Sequence, residues 1–150
     1  MRLVIQRVSE ASVRIEGRIH AGIGAGLLVL LGIEEEDDQE DIQYLANKLC
    51  AMRIFSDSEG KMNLDLGQIN GEILIISQFT LHASTKKGNR PSFIKAAKPE
   101  KAVPLYESFL SKVSFITGKE CKSGIFGADM KVSLLNDGPV TILLDSRNKE

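Results

Sequence analysis

The chain has 150 residues, of which 43% are hydrophobic and 26% charged, with a formal net charge of −1. That length suits a single domain, residues 1–150, with a core large enough to need no staples. Without a basic excess, any nucleic-acid contact should be local and salt-dependent, and no stretch nears the roughly 20 apolar residues of a membrane helix. The first residues lack a charged n-region followed by an apolar h-region, so a cytoplasmic protein is expected.

Strand signals fill the first third. Leu3 to Val8 is apolar and β-branched, and Val13-Arg14-Ile15 alternates before a turn at Glu16-Gly17. Ile19 to Ile23 reads as the returning strand and Leu27 to Ile33 as a buried one. Gly22, Gly24 and Gly26 are spaced like a dinucleotide loop, but that loop needs a helix after the glycines and here a strand follows. A tight turn or bulge is the expectation. Glu34, Glu35, Glu36, Asp37, Asp38, Glu40 and Asp41 read as solvated surface, with acids placed to complement a helix dipole.

From Asp38 to Arg53, Ile42, Leu45, Ala46, Leu49 and Met52 recur at helical spacing and predict a helix with one apolar face. Ser56 to Gly60 is a turn, and Ile73 to Leu81 is the next strand. Residues 84–98 are polar and contain Pro91, which predicts a surface loop. Lys86, Lys87, Arg90, Lys95, Lys98 and Lys101 face only one acid, Glu100, so this run is either solvated or anion-binding. A second helix is predicted from Pro99 to Val113, with proline at an early position and Val103, Tyr106, Leu110 and Val113 on one face. Two last strands, Met130 to Leu135 and Val140 to Leu144, flank Asn136-Asp137-Gly138-Pro139. Mostly strands, with two helices that do not alternate with them, define an α+β fold rather than a doubly wound one.

The usual catalytic signatures are missing. His20 lies in a predicted strand as a structural or surface residue. His82 would share a face with Gln78 and Thr80 if the strand continued, pairing a hydroxyl with a base, yet no acid is placed to orient it. Cys50 and Cys121 have no metal or redox spacing and read as reduced thiols. No cofactor or metal is implied. Any chemistry should therefore be undemanding. Cleavage of an activated ester fits, since it needs a bound water, a shaped pocket and donors for the oxyanion, which backbone N–H groups can supply.

Two segments carry more. Ser77-Gln78-Phe79-Thr80-Leu81 closes an apolar strand with polar groups, and Asn136-x-Gly138-Pro139-Val140-Thr141 interrupts another with a turn signal. Together they resemble the two signature motifs of the D-aminoacyl-tRNA deacylases, also known as D-tyrosyl-tRNA deacylases. The likeness extends over essentially the whole chain, including Met1 to Val8, Asn89-Arg90-Pro91-Ser92-Phe93 and Phe126-Gly127-Ala128-Asp129-Met130.

The resemblance implies two helices on a curved, largely antiparallel sheet, and a metal-free homodimer. It implies hydrolysis of the ester that joins a D-amino acid, or glycine, to the 3′ end of tRNA. Ser77, Gln78, Phe79 and Thr80 would build the pocket. A cis Gly138-Pro139 bond would reach into the partner subunit's pocket and exclude L side chains. Arg7 would hold that turn, with Phe93, Met130 and Asn136 in support. Lys86, Lys87 and Arg90 would meet tRNA phosphates. Two roles for Thr80 stay open, a nucleophile or a positioning group beside a reaction assisted by the tRNA's own 2′-OH, and the absence of an adjacent base favours the second. A non-catalytic tRNA-binding module and an esterase of free D-amino-acid esters are the rival readings.

Overall fold

The computed structural model describes residues 1–149 and joins the two short strands expected at the start into one, β1 (Arg2–Ile15). From Arg2 to Val8 it pairs with β3 (Gly26–Gly32), and from Ala11 to Ile15 with β2 (Arg18–Ile23). Along its other edge runs β8 (Met130–Asp145), and all three pairings are antiparallel. β6 (Glu72–Ser77) then joins β3 in parallel, and β7 (Lys122–Ser123) joins β6 in parallel. The expected antiparallel core therefore carries a parallel flank. The segment between β3 and β6 holds a helix and is long enough for the crossover that parallel pairing demands. β4 (Phe55–Ser56) and β5 (Met62–Leu64) form a separate two-stranded ribbon.

β3 is apolar without alternation because both its faces are covered. Leu27, Val29 and Leu31 join the main core, together with Leu3 and Ile5 of β1 and Ile75 of β6. Leu28 belongs to a second cluster on the other face, with Val8, Val13, Leu74 and Ile76. Two helices close the main core: α1 (Gln39–Ala51) through Ile42, Leu45 and Leu49, and α2 (Pro99–Thr117) through Ala102, Tyr106 and Phe109. The Tyr106 hydroxyl donates to the Ile75 carbonyl at 2.9 Å, tying α2 to β6.

Asp38 caps α1. Its carboxylate accepts from the Glu40 amide at 2.8 Å, and its own amide donates to Asp41 at 2.9 Å, a reciprocal capping box. Sequence reasoning starts α1 at its cap and runs it two residues too far, past Ala51. It stops α2 short: the helix runs on to Thr117, with Ile116 packed against the core and Phe115 exposed, and Gly118 ends it in the left-handed region at φ 66°. Among the described residues no helix is long and apolar enough to cross a membrane.

The acidic run departs from a purely solvated surface. Asp37 is buried, 2.5 Å from the Met1 ammonium, and Arg147 lies 3.4 Å from the same carboxylate oxygen. A buried carboxylate needs cations or donors beside it, and here the two ends of the chain bring them. Glu35 meets the basic run, accepting from the Lys101 ammonium and donating its amide to the Lys95 carbonyl at 3.2 Å.

Candidate active site

β3 and β6 run side by side in parallel, and at the C-terminal end of β6 the chain turns. The strand stops at Ser77, and Phe79–His82 form one turn of 3₁₀ helix rather than the extended strand expected through Leu81. The Gln78 amide still donates to the Leu31 carbonyl at 2.8 Å, and the turn's own bonds begin with the Leu81 amide to the Gln78 carbonyl at 3.2 Å. The first N–H groups of such a turn have no carbonyl within it to bond. Those of Phe79 and Thr80 are thus left as donors.

This geometry separates Thr80 from His82. Thr80 is exposed, and its hydroxyl accepts from the Gln78 side-chain amide at 2.5 Å. His82 is 2% exposed, its nearest charged partner being Glu34 at 3.7 Å. A hydroxyl–base pair on one strand face is ruled out, because a 3₁₀ turn places residues two apart on different sides.

His82 makes its own prediction. Burial, the largest influence, pushes its pKa below the ordinary 6.5, with the Glu34 carboxylate pulling the other way. The unfolded chain therefore takes up the proton first as pH falls. The stability associated with neutral His82 is present above about pH 6.5 and declines below it, by at most about 1.4 kcal/mol per pH unit. Urea unfolding between pH 7.5 and 5.5 should show this limb in the parent and a flatter one in His82→Phe. Parallel curves would assign the limb to another group.

Beside the turn lies a cavity of about 330 Å³. Ser77, Gln78 and Phe79 form one wall, Met130 with the loop Phe126–Asp129 another, and Ala97 with Ala102 a third. Phe93 packs edge-on against Phe79, with ring centroids 5.0 Å apart at 72°. Just before Phe93, Ser84 and Ser92 exchange backbone hydrogen bonds of 2.8 and 2.9 Å, pinching off a loop. That loop carries Lys86, Lys87 and Arg90, all exposed, so the basic segment is rooted beside Phe79. Neither cysteine lines this cavity, and burial raises the Cys50 thiol to about 11 and the Cys121 thiol to about 12.

The second motif sits elsewhere on the sheet. The two strands expected around Gly138-Pro139 are one strand, β8, whose pairing slips: Asn136 lies opposite Val8 and Thr141 opposite Gln6. Asp137 to Val140 loop out against Arg7 alone. Asn136 closes the loop, donating to the Val140 carbonyl at 3.1 Å and accepting from the Val140 amide at 2.8 Å. Arg7 is 8% exposed and donates to the Asp137 carbonyl at 2.7 Å and to the Ile54 carbonyl at 2.6 Å. The Gly138-Pro139 peptide is cis. None of residues 136–140 lines the cavity of its own chain.

So Ser77, Gln78, Phe79 and Met130 line the cavity. Thr80 and Phe93 do not line it and stand against Gln78 and Phe79 instead, and Arg7, Asn136, Gly138 and Pro139 gather at the loop. Sequence reasoning singles out neither Ala97 nor Ala102, whose small side chains only look functional once they are seen to leave space. Phe126 and Asp129 stand in a segment that carries the family resemblance, but nothing in their spacing marks a wall.

Comparison with known proteins bears on the family and the fold. The sequence fits the profile of the family described as D-Tyr-tRNA(Tyr) deacylase over residues 4–145. Proteins named D-aminoacyl-tRNA deacylase from Bacteroides thetaiotaomicron and Akkermansia muciniphila are 63% and 61% identical, each aligned over 100% of both chains. A solved structure named c-Myc DNA Unwinding Element Binding Protein superposes with a TM-score of 0.91 at 41% identity, covering 97% of this chain and 98% of that one. The chain is thus a hydrolase of the deacylase class. The chain belongs to the D-Tyr-tRNA(Tyr) deacylase family.

Proposed function

We propose that this protein hydrolyses the ester of D-aminoacyl-tRNA, and of glycyl-tRNA, releasing tRNA and free amino acid as a homodimeric chiral proofreader in the cytoplasm. The observation that carries the reading is the turn at Phe79 and Thr80, whose two amides have no acceptor among the described residues and stand beside the cavity. Donors so placed stabilise the oxyanion as water adds to the ester carbonyl. The bond to the ribose 3′ oxygen then breaks, and that oxygen takes the proton. The terminal 2′-OH assists the water, and Thr80, held by Gln78, positions the substrate.

The Gly138-Pro139 loop acts in the pocket of the partner subunit. Its carbonyls face the substrate α-carbon and collide with an L side chain, while a hydrogen atom or a D side chain passes. Such a filter tolerates many D side chains and admits glycine. Lys86, Lys87 and Arg90 meet acceptor-end phosphates without reading sequence.

The deciding experiment follows D-tyrosyl-tRNA and L-tyrosyl-tRNA side by side with metal-stripped protein. Release from the D substrate alone is expected. Cleavage of both would leave a deacylase without the filter, and binding without cleavage would make the protein a binding module. A free D-tyrosine ester cleaved as fast as the tRNA ester would point to a general esterase. Thr80→Val should retain activity within about tenfold, because no base stands beside the hydroxyl to make it a nucleophile. A loss of more than about a thousandfold in a folded, tRNA-binding variant would restore the nucleophile.

A further inference from the structure

Beneath the turn at Phe79–His82 the strand ends make a support that neither motif contains. Arg2, the first residue of β1, pairs with Gly32 at the end of β3 and with Asp145 at the end of β8. The turn rests directly on Gly32, where an added Cβ would lie 2.9 Å from the Leu81 Cβ and 3.1 Å from the Gln78 carbonyl oxygen. From beside that contact the Arg2 guanidinium reaches two ways. Nη1 donates to the Leu81 carbonyl at 3.0 Å, and Nε donates to the Asp145 carboxylate at 2.7 Å.

Leu81 depends on this bond. The Ser84 amide, which would continue a 3₁₀ pattern by donating to the Leu81 carbonyl, donates instead to Ser92 at 2.8 Å. Asp145 is fixed in turn, its other oxygen accepting from the Arg147 amide at 2.9 Å. A parallel line runs from Arg147 to Glu34 at 3.3 Å and from Glu34 to His82 at 3.7 Å. The two lines from the end of β8 thus land on adjacent residues of the turn, Leu81 and His82.

We propose that Arg2 is a positioning residue for the hydrolytic reaction, clamping the turn through the Leu81 carbonyl while Asp145 orients its guanidinium. This rests on the reading that the N–H groups of Phe79 and Thr80 serve the oxyanion. Such donors must be held to a fraction of an ångström, and a small misplacement lowers the rate without removing any group that touches substrate. The planar fork of arginine supplies both bonds at a fixed angle, whereas lysine offers a single point charge.

The test compares Arg2→Gln, Arg2→Lys and Asp145→Asn with the parent dimer. It measures kcat and KM on D-tyrosyl-tRNA and amide hydrogen exchange across β3 and the turn. Arg2→Gln should lower kcat about tenfold with KM within about twofold. Exchange should quicken at Leu81 and Ala83 while Val29 is unchanged. Asp145→Asn should have a smaller effect and add nothing in the Arg2→Gln background, and Arg2→Lys should fall between. Parental kcat in Arg2→Gln would overturn the proposal, as would quickened exchange spread evenly through β3 and the turn. If the parent fails to hydrolyse the ester, the oxyanion reading falls, and the exchange pattern alone still decides whether Arg2 holds the turn.

Discussion

Arg7→Met is expected to abolish most D-aminoacyl-tRNA hydrolysis, by on the order of a hundredfold, and to weaken the preference for D over L substrate in what remains. Arg7 is the only residue of β1 opposite the outward loop of Asp137 to Val140, and two carbonyls depend on it, those of Asp137 and Ile54. Methionine fills much of the same space but donates nothing. The Ile54 carbonyl, on a residue 6% exposed, would lose its charged donor, and unfolding should become easier by about 2–3 kcal/mol. The loop would keep only its internal closure by Asn136, so its carbonyls would lose their fixed direction. Thermal unfolding separates the two effects, because a purely structural role would lower stability and leave the D-to-L ratio at its parental value. Arg7→Lys should recover part of both losses, since a point charge reaches one carbonyl where the guanidinium reaches two. Unaltered stereochemical preference in a folded Arg7→Met protein would separate the loop from the filter.

How much of this was legible beforehand varies with the physics involved. The helix at Ile42, Leu45 and Leu49 was readable because one apolar face repeats at helical spacing and acids stand at its start, where they complement the dipole. β3 was readable as a buried strand from five consecutive apolar residues, Leu27 to Leu31. The continuity of β8 was not, because Gly138-Pro139 is a turn signal in any local reading, and only pairing with β1 on both sides of it keeps the strand in register. The same holds for the turn after Ser77. Its sequence, Phe79-Thr80-Leu81, is compatible with a strand, and the decision lies with Gly32 beneath it and Ser92 across from Ser84.

Site residues divide along the same line. Polar groups at a strand end and a Gly-Pro pair stand out against their surroundings, which is why both motifs could be found in the sequence. Asp37 could not be told from its acidic neighbours, since what buries it is the approach of Met1 and Arg147 from the two ends of the chain. Arg2, likewise, is an ordinary strand residue until its two acceptors, 79 and 143 positions away in sequence, are brought beside it.

Gly32→Ala is expected to leave a folded protein with little activity, with kcat lower by roughly ten- to a hundredfold. Alanine suits an extended strand, so the backbone itself raises no objection. The difficulty is space. The new methyl would stand 2.9 Å from the Leu81 Cβ, 3.1 Å from the Gln78 carbonyl oxygen and 3.1 Å from the His82 Cδ2. All three belong to the turn or to Gln78, which caps it, and the turn is also fastened to β3 by the Gln78 amide bond to Leu31. Its easiest escape is outward, which carries the Phe79 and Thr80 amides away from the ester carbonyl they would stabilise. Overpacking of this kind costs about 1–3 kcal/mol, offset in part by the smaller entropy of an unfolded chain without that glycine. The measurements are kcat on D-tyrosyl-tRNA and the urea midpoint, taken on the same preparation. His82→Ala in the same background removes one of the three contacts and should return part of the lost kcat, although a cavity is added. Full activity in Gly32→Ala would show that the turn tolerates displacement, and catalysis would then have to depend on the cavity wall formed by Met130 and Phe126 more than on the two amides.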